Sequence, residues 1–75
     1  MSADKLVMMA NQIGTFFATA EKDDPAAAIA DHIEKFWDPR MRAGILAHLA
    51  AGGEGLTPAV REAVSRLKAP APGHG

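Results

Sequence analysis

Three times along this chain a helix-capping residue stands directly before a proline: Asp24-Pro25, Asp38-Pro39 and Thr57-Pro58. An Asp or Thr side chain accepts from the free N–H groups at a helix start, and proline fits the first helical position because it lacks only a donor that the start leaves unused. The residue before proline is also pushed out of the helical region, so each pair both ends one segment and begins the next. Between these marks there is no alternating run of apolar and polar residues, and only three valines, four isoleucines and three threonines. Strands are therefore not expected. The chain must fold as short helices.

Four are predicted. The first runs from Ala3 to about Ala20, with Ser2 as N-cap and Asp4 in the first turn. Leu6, Met9, Ala10, Ile13, Phe16, Phe17 and Ala20 fall on one arc, a core-facing stripe. The opposite face holds Val7, Met8, Asn11, Gln12, Thr15 and Ala18, and residues 6–20 carry no charge at all. A solvated face normally carries Lys, Glu or Arg, so this helix is expected to be covered on both sides. Glu21 to Asp24 form a charged loop. The second helix spans Pro25 to about Trp37, with Ala26, Ile29, Ile33, Phe36 and Trp37 on one face. The third spans Pro39 to about Ala51, with a stripe of Met41, Ile45, Leu46 and Leu49 and a face of small residues (Ala43, Gly44, Ala47, Ala50) open to close approach by another helix. Gly52-Gly53 stops it. The fourth, Pro58 to about Lys68, points Val60, Ala63, Val64 and Leu67 inward and Arg61, Glu62, Ser65 and Lys68 outward. The expectation is an all-α, small four-helix domain over residues 1–68 with short loops. Residues 69–75, rich in Pro, Ala and Gly, read as a disordered tail.

The core such a domain can build is thin. Of 36 apolar residues among 75, sixteen are alanine and one is Met1 at the terminus, which leaves nineteen side chains of useful size. Small scaffolds compensate with disulfides, a metal or a partner. With no cysteine, disulfides, thiolate zinc sites and iron–sulfur ligation are excluded for this chain. His32 and His48 sit on different helices, each at the edge of an apolar stripe, and read as boundary residues in packing. A partner is the remaining option. No stretch approaches the ~18 apolar residues of a membrane span, and the apolar run after Lys5 is too short for a signal peptide, so a cytoplasmic protein with no membrane contact is expected.

Residues that could carry chemistry are few. There is no Cys nucleophile, the Ser and Thr residues read as caps or surface, and Asp23-Asp24 reads as loop and N-cap. No catalytic, cofactor-binding or metal-binding residue is expected. Gly52-Gly53-Glu54-Gly55 lacks the preceding strand and the Lys-Ser/Thr pair of a phosphate loop and reads as a flexible connection. A net charge of −1 disfavours nucleic acid, although a basic surplus after residue 35 leaves Arg61, Arg66 and Lys68 as an alternative nucleic-acid face. The densest cluster is Phe36-Trp37-Asp38-Pro39-Arg40-Met41-Arg42, with the one Trp and two of the four arginines, residue types enriched at binding hot spots. Phe36 and Trp37 equally fit a cap on the bundle core, and Asp38 could pair with Arg42. Arg42, set among Met41, Ile45, Leu46 and Leu49, needs an anionic or carbonyl partner, or must snorkel.

Met9-Ala10-Asn11-Gln12-Ile13-Gly14-Thr15-Phe16-Phe17, then Ala30-Asp31-His32-Ile33-Glu34-Lys35-Phe36-Trp37-Asp38-Pro39-Arg40-Met41-Arg42, then His48-Leu49 and the turn from Gly52 to Leu56, together resemble the delta subunit of NAD-dependent, molybdenum-containing formate dehydrogenase. The match covers about residues 5–67. The resemblance implies a non-catalytic accessory subunit of a cytoplasmic complex that oxidises formate to carbon dioxide and reduces NAD. It places the molybdenum bis(guanine dinucleotide), iron–sulfur clusters, FMN and NAD in larger partner subunits, the catalytic alpha subunit being the expected contact. A transient maturation factor for cofactor loading is the alternative. The expected contact residues are Val7, Met8, Asn11, Gln12, Thr15, Phe36, Trp37, Arg40 and Arg42, with Asn11 and Gln12 bonding partner backbone and the arginines meeting acidic groups.

Overall fold

A computed structural model describes residues 2–20 and 23–67 of the chain. Four helices follow in order: α1 (Ala3–Thr19), α2 (Pro25–Phe36), α3 (Pro39–Ala50) and α4 (Pro58–Ser65), with no strand among the described residues. Their starts are set locally. The Ser2 hydroxyl accepts from the Lys5 N–H at 3.2 Å, Asp24 from Ala27 at 3.2 Å and Asp38 from Met41 at 2.8 Å. Thr57 holds the N-cap position of α4 in extended conformation, but its hydroxyl makes no capping bond. Lys68 and the expected tail 69–75 lie outside the described residues, as do Glu21 and Lys22 of the expected charged loop.

The end of α3 is closed by the backbone itself. The N–H of Gly53 reaches the carbonyl of His48 (2.9 Å) and that of Gly52 reaches Leu49 (3.0 Å). This paired closure requires Gly52 in the left-handed half of backbone space, where its φ is +124°.

Ile29, Ile33, Ile45, Val60 and Val64 form the fully buried centre, and Leu6, Trp37, Leu56 and Leu67 close it. α2 packs on α4 and α1, while α1 also meets α3 and α4. Two glycines set the closest approaches. A Cβ at Gly14 would stand 2.5 Å from Cγ2 of Val60, and one at Gly44 would stand 2.7 Å from Cδ1 of Leu6. Gly44 thus receives α1, as the small-residue face of the third helix predicts; its neighbours Ala43, Ala47 and Ala50 remain exposed.

α1 is rolled relative to the expected stripe, by roughly 50° at the helical period. Leu6, Ala10 and Gly14 face the core, while Met9, Ile13 and Phe17 are only partly buried and Phe16 is 65% exposed. Hydrophobicity alone favours turning Phe16 inward. The bare Cα of Gly14 wins because it lets α1 settle against Val60, and that brings two backbones closer than a phenylalanine could. In α2, Ala26, Ile29, Ala30 and Ile33 face inward and Trp37 follows, whereas Phe36 is 72% exposed and leaves the face expected for it.

Candidate partner-docking surface

Several expected contact residues are engaged within the chain. The Asn11 amide donates through Nδ2 to the carbonyl of Gly55 (2.8 Å), and its Oδ1 accepts from the N–H of Thr57 (3.2 Å). Both ends of the amide expected to meet partner backbone thus meet the α3–α4 loop of the same chain. Val7 is partly buried beside the same loop, near Gly55. The uncharged second face of α1 is therefore covered in part by its own chain, which removes the need for a partner along that edge. Met8, Gln12 and Thr15 stay exposed.

The same loop is pinned from two further sides. Arg61 on α4 donates from Nη1 to Gly52 and from Nη2 to Gly53, both at 3.0 Å, and Nε2 of His48 lies 2.7 Å from the carbonyl of Glu54. A carbonyl only accepts, so Nε2 carries the proton in this contact. The expected flexible connection is in fact a tethered turn. Arg61 is drawn away from the alternative nucleic-acid face, and Arg66 is paired with Asp24 (3.0 Å) and Glu62 (2.9 Å). Lys68, the third residue of that face, lies outside the described residues. The Arg66 guanidinium and the Ala27 N–H both hold the Asp24 carboxyl below its ordinary value, outweighing a small desolvation effect.

At the α2–α3 corner, Trp37 is 5% exposed and belongs to the core, a correction to its expected place at an interface. Arg42 donates from Nη1 to the Trp37 carbonyl at 2.6 Å, and its Nε lies 3.7 Å from Oε1 of Glu34. Within the chain Arg42 thus braces α3 against the end of α2, although its Nε, near Glu34, is buried without a hydrogen-bond partner. Asp38 caps α3 rather than pairing with Arg42. Arg40 and Phe36 are exposed.

Among the open clefts of the described residues, one of about 440 Å³ is lined by Leu6, Asp38, Arg40, Met41 and Gly44, and one between α1 and α2, of about 340 Å³, is an aromatic groove. α1 contributes Met9, Gln12, Ile13, Phe16 and Phe17; α2 contributes His32 and its capping residue Trp37. The Phe16 and Phe17 rings meet edge-on with centroids 5.1 Å apart, and Phe17 meets His32 at 6.0 Å. Phe36 stacks beside His32 at 4.7 Å and forms the far rim. His32 is thus a boundary residue in packing, as its place beside Phe36 predicts. Of the other groove residues, Gln12 and Trp37 are among the expected contact residues, whereas the periodicity predicts Met9, Ile13, Phe16 and Phe17 for the core-facing stripe. The signal that could have separated them is Gly14, whose demand for close approach rolls Phe16 outward.

Among the described residues, no group of three His, Cys, Asp or Glu side chains could hold a metal ion, and no helix is long and apolar enough to cross a membrane. No curated protein matches the chain. A family model described as the NADH-dependent formate dehydrogenase delta subunit, FdsD, matches residues 5–64, a span that includes all four helices except the first two residues of α1 and the last of α4. The matched span takes in the tethered turn, the Arg42 brace and the whole aromatic groove, and on that match the chain belongs to the formate dehydrogenase delta subunit family.

Proposed function

We propose that this chain is a non-catalytic accessory subunit that docks on the larger, formate-oxidising alpha subunit in the cytoplasm and supports its assembly or stability. The observation that carries this reading, beside the family, is the exposure of Met8 (58%), Phe16 (65%) and Phe36 (72%) where, among the described residues, the large fully buried side chains are Ile29, Ile33, Ile45, Val60 and Val64. Exposed apolar surface on so small a domain is costly in isolation and is a common mark of a protein interface. The residues present do not suit a cluster or a metal: there is no cysteine, and the described acids and histidines do not converge. The molybdenum bis(guanine dinucleotide), iron–sulfur clusters, FMN and NAD accordingly belong to the partner subunits in this reading. Nucleic acid is not a partner in it, because Arg61 and Arg66 are engaged internally.

The test is to produce the larger subunits with and without this chain. Omission is expected to lower the yield of assembled enzyme several-fold while leaving turnover per molybdenum unchanged. One copy per alpha subunit in purified enzyme supports a permanent subunit; a trace amount points instead to a transient factor that acts during cofactor loading. Full yield of assembled enzyme without the chain overturns the proposal.

A further inference from the structure

We infer that the α1–α2 groove, between the rims formed by Phe16 and Phe36, receives an uncharged apolar segment of the larger formate-oxidising subunit. The inference rests on the accessory-subunit reading and assigns the surface and the chemistry of what covers it. Leu6, Ala10 and Gly14 of α1 face the core, Val7 and Asn11 face the tethered turn, and Met8 stands exposed outside the groove. The groove is where large apolar side chains from two helices are left standing together.

Its chemistry selects the occupant. Apart from the His32 imidazole, no side chain lining it is ionisable, and its polar groups are that ring and the Gln12 amide. The charges of the neighbouring α2 surface are matched, Lys35 to Asp31 on the same helix at 3.0 Å and Glu34 to Arg42 of α3 at 3.7 Å. A charged segment entering the groove would lose hydration and find no counter-charge, whereas an apolar one loses little and gains the area of both rims. Gln12 and His32 suit neutral hydrogen-bonding groups such as main-chain amides. The groove is at the small end of ligand-pocket volumes. A small molecule in it would still leave Phe16 and Phe36 largely in water, while a polypeptide surface laid across it covers both. A protein segment is therefore the better fit, and the accessory-subunit reading places that segment on the larger subunit.

The experiment uses the full chain, tagged and co-produced with the larger subunits. Wild-type chain is expected to retain the alpha subunit, and the double variant Phe16→Ser/Phe36→Ser to retain at least about tenfold less, as expected for paired aromatic hot spots. Ala47→Asp, on the exposed face of α3, is expected to retain it fully. Equal retention by the double variant overturns the groove while the accessory role stands; failure of the wild-type chain to retain any larger subunit overturns both. A benzophenone amino acid placed at Gln12 gives a readout that does not depend on the stability of the double variant. The expected crosslink is to an apolar, uncharged segment of the alpha subunit. A crosslink to a charged segment, or to a second copy of this chain, overturns the assignment.

Discussion

Three of the seven residues in the 51–57 turn are glycine, yet the four successive carbonyls from Gly52 to Gly55 accept from side chains of three different helices. At the α1–α2 groove the composition is the reverse, rich in phenylalanine, and there the chain leaves two rings in solvent. The stretch that looks loose is fastened, and the stretch that looks like core is open. Backbone carbonyls have fixed directions and strong demands, so Asn11, His48 and Arg61 can satisfy them wherever the helices bring them within reach. Aromatic rings need a second apolar surface, and a domain with so few large side chains has no more of it to offer.

Gly14→Val strikes the fastened side hardest. Its Cβ would meet Val60, a buried and β-branched residue that cannot swing aside, so a loss of about 3 kcal/mol is expected in urea unfolding. Asn11→Ala removes both bonds of the amide to the turn; a loss of about 1–3 kcal/mol is expected, with faster hydrogen exchange at the Thr57 N–H. Unchanged exchange there would mean that the turn is held without the amide. On the open side, Phe16→Ser and Phe36→Ser are each expected to change the stability of the isolated chain by no more than about 0.5 kcal/mol. A drop of core-like size would show that those rings are buried in solution and would erase the contrast.

The smallest effect concerns the Asp24–Arg66 pair that ties the start of α2 to the end of α4. Folding lowers the Asp24 pKa from its ordinary 3.8, so the contribution of the carboxylate is complete above that value and disappears as pH falls through the lower folded value. The stability difference between wild type and Asp24→Asn, followed by thermal melts, should therefore narrow below pH 3.8 and stay constant above it. A difference that widened with acid would refute the pairing.

The cap-proline pairs placed the starts of α2, α3 and α4, and Gly52-Gly53 placed the stop of α3, because these signals act within one turn of backbone. The inward face of α4 was equally readable: Val60, Ala63, Val64 and Leu67 are all buried. On α1 the reading was rotated. Its apolar arc is broad enough to accept more than one orientation, and the orientation adopted depends on Val60, which is 46 residues beyond Gly14. The same limit applies to Asn11 and Arg42. A polar side chain next to an apolar stripe needs partners, but the sequence does not reveal whether they are its own carbonyls or those of another chain.

Where each helix starts and what type of element it is thus follow from neighbours along the chain, since capping and φ restriction are satisfied over three or four residues. How α1 is rolled, which aromatics are spent in the core and which stand at the surface follow from packing between distant segments. There a single missing Cβ at Gly14 decides between arrangements of nearly equal apolar burial.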